Sequence, residues 1–221
     1  MAAVTWRLPD ALQPNDDDRA VALLRAYYRR DEGRPLGVAY TGARFDCWDS
    51  TGTRARDTDR FTADDLVALR FLSIKVTADT VGALLCDRAD EFNDLLEQVG
   101  QDRDLADLPD TELAGGSQWP AWWLHERLCT IDGVDWVTAG KLLARKRPRL
   151  IPMYDSVVRE VVGAPVAFWP AMHQALRADG AALHRRLLRL RAAADLPTSI
   201  SALRVFDVLA WMSGQPQRSS R

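Results

Sequence analysis

The 221-residue chain predicts an all-α protein, on three observations. Apolar residues recur at three- and four-residue spacing along most of its length. Those runs are bracketed by helix punctuation, with Asp, Thr or Ser ahead of them and Gly or Pro after. Alternation of period two is confined to a short stretch near Val38, which allows at most a small hairpin near the N-terminus.

Taken in order, the first helix is expected at Arg19 to Arg30, where Val21, Leu24, Tyr27 and Tyr28 share a face and Asp16, Asp17 and Asp18 favour its positive end. Residues 1–60 then hold that helix and an irregular segment rich in Gly and Pro. At Thr62 the pattern turns helical again. Thr62-Ala63-Asp64-Asp65 reads as a capping box with Asp in the last place, followed by Leu66, Leu69, Phe71 and Leu72. Further helices are expected at Thr77 to Leu85 and Glu91 to Val99, followed by an acidic connection from Gln101 to Gly116. Pro120 suits a helix's first turn and opens a segment carrying Trp119, Trp122 and Trp123. The last third holds helical patterns at Val157 to Val162, Phe168 to Arg177, Leu183 to Ala194 and Ile200 to Met212. Residues 61–214 therefore form the helical domain, and 215–221 a disordered polar tail.

Composition bounds the function. With 47% hydrophobic and 27% charged residues there is enough apolar surface to offset the entropy of ordering, so the chain folds. A net charge of -2 excludes a globally basic nucleic-acid binder, so the placement of charge matters more than its total. The stretches Lys141 to Arg149 and His184 to Arg191 are basic, whereas Asp87 to Asp110 is acidic. Cys47, Cys86 and Cys129 lack the paired spacing that holds zinc or an iron-sulfur cluster, and no cofactor is expected. Neither an export signal nor a membrane-spanning run is visible, which places the protein in the cytoplasm.

The chemistry concentrates in residues 124–158. One helix should end near Thr130, Asp132-Gly133-Val134-Asp135 should turn, and a second helix should run from Trp136 to Lys146, making a helix-hairpin-helix over 124–146. Gly133 permits positive φ and close backbone approach, and the N–H groups that open the second helix favour an anion such as phosphate. Lys141 and Arg145, one turn apart, with Lys146 and Arg147 behind them, would add positive charge. An extended segment, Ile151-Pro152-Met153-Tyr154, leads to Asp155, a favoured helix N-cap.

These residues resemble the helix-hairpin-helix DNA glycosylase superfamily. Ile131 to Ala139 matches its hairpin, Ile151 to Val158 its aspartate segment, and Thr138 and Asp155 stand 17 positions apart, as that superfamily's pattern does. The resemblance implies a two-lobe helical fold that binds double-stranded DNA. Gly133, Val134, Trp136, Thr138, Lys141, Arg145, Lys146 and Arg147 would lie along the backbone, and Asp155 would be the catalytic carboxylate of a monofunctional base-excision glycosylase. Trp122, Trp123 and Tyr154 would be candidates for the base pocket, since aromatic faces stack on extruded bases. Asp135 stands where the pattern has its second glycine. The sugar-attacking lysine of bifunctional members would fall at Val137, so no lyase activity is implied. The alternative is a non-catalytic helical module that keeps the scaffold and binds DNA or a protein partner. The segments FTADDLVALRFLS and TAGKLLARKRPRLIPMYDSVV also resemble a family catalogued only as a domain of unknown function, which implies no activity.

Overall fold

The computed structural model describes residues 6–34, 37–114, 119–163 and 167–215. Among them every regular element is helical: α1 (Asp17–Tyr28), α2 (Gly42–Cys47), α3 (Ala63–Phe71), α4 (Ala78–Gly82), α5 (Ala89–Val99), α6 (Asp110–Ala114), α7 (Pro120–Leu128), α8 (Trp136–Lys146), α9 (Ser156–Val162), α10 (Phe168–Ala193) and α11 (Ala202–Gly214). Short 3-10 turns occupy Asp10–Leu12 and Leu105–Asp107, and α4 runs on into a π turn, Ala83–Asp87. The stretch that allowed a small hairpin contributes one isolated antiparallel bridge, Arg30 to Val38. The expected tail lies outside the described residues apart from Gln215. No described helix is long and apolar enough to cross a membrane.

α11 sits at the centre. It is buried without interruption from Ala202 to Ala210 and packs on α1, α9 and α10, as expected of a helix that is apolar around its circumference. α1 turns Ala20, Leu24 and Tyr27 toward α10 and α11, so residues from the first sixty join the same apolar cluster as α7, α8 and α11. The two helices expected at 168–177 and 183–194 both form; within α10 they are separated by non-helical backbone at Ala178–Ala181, where Asp179, Gly180 and Ala181 take φ of 51°, 64° and 66°.

Local caps set several helix starts. The box at Thr62 forms, with Thr62 N donating to Asp65 Oδ2 at 3.0 Å. Thr77, Asp135, Asp155 and Ser201 each accept from a backbone N–H of the helix they precede. Next to Asp65, Asp64 pins the loop ahead of α3 by accepting from Trp48 Nε1 (2.9 Å), Ser50 Oγ (2.6 Å) and Thr51 N (3.1 Å). Burial pushes the Asp64 carboxyl up, but the donors from Ser50, Thr51 and Trp48 outweigh it and hold it at about 2. A depressed carboxylate contributes stability above its unfolded value of about 4, and that contribution is lost as pH falls toward 2. Urea unfolding across pH should therefore show Asp64→Ala less stable than the parent at pH 7, with the gap closing between about pH 4 and pH 2.

α2 was not expected. Its first residue, Gly42, has no room for a side chain, because a Cβ there would lie 2.0 Å from Tyr27 Oη, and its carbonyl accepts from Arg204 Nη2 at 3.1 Å. This close approach of α2 to α1 and α11 builds one wall of the cavity described next.

Candidate functional site

The hairpin forms where expected, with α7 ending at Leu128 and α8 beginning at Trp136. Gly133 has φ of 81°, and a Cβ on it would lie 2.5 Å from Thr77 Cγ2. Thr77 caps α4 and also donates to the Asp132 carbonyl at 3.2 Å, so glycine is what lets the turn dock on the start of α4. Gly133→Val should cost at least about 1–3 kcal/mol in chemical denaturation, from a β-branched residue at positive φ, and more from the collision with Thr77. A midpoint equal to the parent's would show that the turn adopts another conformation.

The anion site expected at the start of α8 is filled by the chain itself. Asp135 Oδ1 accepts from Thr138 N at 2.7 Å, the N–H that a phosphate would need. Burial pushes the Asp135 carboxyl up, but its bonds with Thr138 and the nearby Lys141 charge lower it on balance. Val134 and Thr138 are buried, and Trp136 is 45% exposed.

The cations behind the hairpin do not form the surface expected of them. The Arg145 and Lys146 side chains are 0% and 2% exposed and share one carboxylate: Arg145 Nε donates to Asp65 Oδ1 at 3.2 Å and Lys146 Nζ to Asp65 Oδ2 at 2.9 Å. Arg145 also donates to the carbonyls of Phe45 and Trp48, and Lys146 to that of Asp57. Arg147 donates to the carbonyls of Thr58, Leu96 and Gly100 and to Asp59. The physical reason is that the loops before α3 and after α5 leave carbonyls without helical partners, and the end of α8 supplies donors to them. In this arrangement none of the three side chains can reach a phosphate.

The tryptophans also lie elsewhere. Trp122 packs against His125, Trp136 and Trp169 and donates to Glu126 Oε1 at 3.0 Å, bracing the base of the hairpin. Trp123 is 58% exposed in an open groove beside Asp94, Leu95 and Arg127. Tyr154 stacks on Phe168 with ring centroids 4.1 Å apart. None of these three lines the cavity that holds Asp155.

That cavity has a volume of 210 Å³. Tyr27, Tyr40, Phe71 and Trp211 supply aromatic walls, and Lys141, Asp155, Arg204 and Asp207 supply charge. The rings of Tyr40 and Trp211 stand at 83° with centroids 5.6 Å apart, making a corner with one ring face and one ring edge. Asp155 has two engagements at once. Its Oδ1 caps α9 by accepting from Val157 N and Val158 N, both at 3.1 Å, and its Oδ2 accepts from Lys141 Nζ at 3.2 Å. Lys141, whose side chain is 8% exposed, is thus the one member of the expected cationic set that meets Asp155.

Arg204 makes the floor. It donates to Asp46 Oδ1 (2.8 Å), Tyr27 Oη (2.8 Å) and the Gly42 carbonyl, and to Asp207 Oδ2. Burial alone would lower the Arg204 guanidinium, but Asp46 and its other anionic neighbours carry it well above the usual range, so it stays charged. Burial pushes the Asp207 carboxyl up to about 6; Arg204 opposes this and the Asp155 charge adds to it. Burial also raises the Tyr27 hydroxyl to about 12. At the rim, Ser73 and its neighbours join α3 to α4, and Ser73 borders both this cavity and the groove over the hairpin that Lys75, Gly133 and Asp135 line.

The sequence did not point to Tyr27, Tyr40, Trp211, Arg204 or Asp207 as site residues. A signal existed at the last two: Arg204 and Asp207 lie one turn apart in the otherwise apolar run ALRVFDVLAW, and charges enclosed in a core helix need partners.

No curated protein and no solved structure matches the chain. One family does match, over residues 20–214, a span that takes in every residue around the cavity and the hairpin. By that match the chain belongs to the family described as a family of unknown function, DUF6308.

Proposed function

We propose that the chain is a two-lobed helix-hairpin-helix DNA-binding protein that takes one extruded nucleotide into the Asp155 cavity and acts as a monofunctional base-excision glycosylase. The observation that carries this reading is that the Asp155 carboxylate opens into an aromatic-walled cavity whose rim residue, Ser73, also borders the hairpin groove. A duplex lying along the groove would have its extruded base delivered toward that rim. Asp155 would then stabilise the positive charge that develops on the sugar as the glycosidic bond breaks, and hold the attacking water. Lys141 fixes the direction of that carboxylate through its bond to Oδ2.

Two observations favour a second reading, a non-catalytic module that binds DNA or a protein partner. Asp135 closes the start of α8, and Arg145, Lys146 and Arg147 are spent inside the protein. The cation lining the hairpin groove is Lys75. On the first reading duplex affinity should therefore rest on few phosphates. Its log-log salt slope should be about 0.9 per phosphate neutralised and should fall by about one unit in Lys75→Glu.

The deciding experiment offers the chain duplexes carrying alkylated, oxidised, deaminated or mismatched bases and scores strand scission after alkali. Base release from any of them supports the first reading. Scission without alkali would instead assign an amine nucleophile, with Lys141 in place to supply it, and overturn the monofunctional part. Duplex binding without release supports the second reading.

A further inference from the structure

The cavity also carries information about which ring it takes, and an inference about that ring rests on the reading above that the ligand is a nucleobase. We propose that Asp207 reads the ring's edge, and that the ring is of the guanine type, with a carbonyl, a ring N–H and an amino group in a row.

The hydrogen-bonding inventory leads there. Lys141 and Arg204 are the cations of the cavity, Asp155 and Asp207 its carboxylates, and Asp46 adds a third carboxylate behind Arg204. Carboxylates thus outnumber cations around it. A carboxylate has about four lone-pair sites, and the bond from Arg204 Nη1 to Asp207 Oδ2 uses one of them. A ligand that presents two adjacent N–H donors matches this carboxylate with paired, charge-assisted hydrogen bonds. Next to it, the bond from Lys141 to Asp155 uses one of the three ammonium donors, which suits a carbonyl flanking the ring N–H. The walls are aromatic, with Tyr40 stacked on Tyr27 at 5.4 Å between centroids and meeting Trp211 at 83°, a lining that suits a planar ring. At 210 Å³ the space is below the roughly 300–1,000 Å³ of sites for drug-sized ligands, so it suits a single ring system.

The direction of the pH dependence follows. Asp207 is faced by Arg204 on its own helix, by Lys141 from α8 and by Asp155 at the start of α9. Asp46, Tyr27 and Tyr28 reach it through Arg204. With its carboxyl raised to about 6, Asp207 accepts as a carboxylate above that pH and loses this capacity as pH falls through it.

The test is isothermal titration of the full chain with guanosine, inosine, N1-methylguanosine and adenosine. Guanosine should bind about tenfold or more tighter than inosine, which lacks the amino group, and than N1-methylguanosine, whose ring N–H is blocked. Its affinity should drop as pH falls from 7 to 5. Asp207→Asn should erase both the preference and the pH dependence, and Asp207→Glu should restore part of each. If Asp207→Asn does not fold, the nucleoside series on the parent still decides. Adenosine binding as tightly as guanosine, indifference to N1-methylation, or no nucleoside binding by the folded parent would each overturn the inference. Guanosine binding without base release from any duplex would leave this inference standing and remove the excision reading. Base release indifferent to Asp207→Asn would do the reverse.

Discussion

Asp65→Asn is expected to lower the unfolding free energy by about 3–5 kcal/mol. Asp65 is 2% exposed at its side chain and is the counter-charge shared by Arg145 and Lys146, both equally enclosed. Asparagine keeps the shape and can still accept from Thr62 N, so the box that opens α3 survives in part. What disappears is the negative charge, and two buried cations are left with carbonyl dipoles alone. Burial already lowers the Lys146 ammonium, and Asp65 is its chief opposing influence, so the variant should also release the Lys146 proton more readily. Urea denaturation at pH 7 measures the loss. A midpoint equal to the parent's would mean that Arg145 and Lys146 reach water in solution, and it would reopen the expectation that they clasp a nucleic-acid backbone.

Asp155→Asn should have the largest effect on activity. If the excision reading holds, base release should fall by about 10²- to 10³-fold, because a neutral amide offers little to a cationic sugar. The same change is not structurally silent, contrary to what capping alone suggests. Asparagine can still accept from Val157 N and Val158 N, but Lys141, at 8% side-chain exposure, loses its carboxylate. Asp155 itself is 18% exposed, so the cost should be smaller than at Asp65, about 1–3 kcal/mol. Asp155→Asn combined with Lys141→Met should recover stability and leave base release lost. Recovery of both, or an excision rate unchanged in the single variant, would remove Asp155 from the chemistry and leave it as a cap and ion-pair partner.

The helices and the hairpin were legible because their determinants are local. Thr62 with Asp65, Thr77, Asp135 and Asp155 act on N–H groups two or three residues away, and Gly133 acts on its own φ. The fate of Arg145, Lys146 and Arg147 was not legible, because spacing along a helix says which side chains share a face and nothing about what lies opposite. Opposite them lie the carbonyls of Trp48, Asp57, Thr58 and Gly100, from loops whose course no periodicity records. The cavity escaped for the same reason. Asp155 was found through its motif, but Tyr27, Tyr40, Phe71 and Trp211 meet only in the folded chain.

The Arg204 floor has a consequence for how the protein comes to exist. Arg204 holds Asp46 across 158 positions of sequence and Tyr27 across 177, so neither bond can close until α11 has been made. Contacts of such separation form late, because the loop-closure entropy must be met before they stabilise anything. α1 and α2, made first, must wait through synthesis with Tyr27, Gly42 and Asp46 lacking their partner. The cavity should therefore be absent from every nascent chain that stops short of α11, and it should be among the last features to appear when the full-length protein refolds.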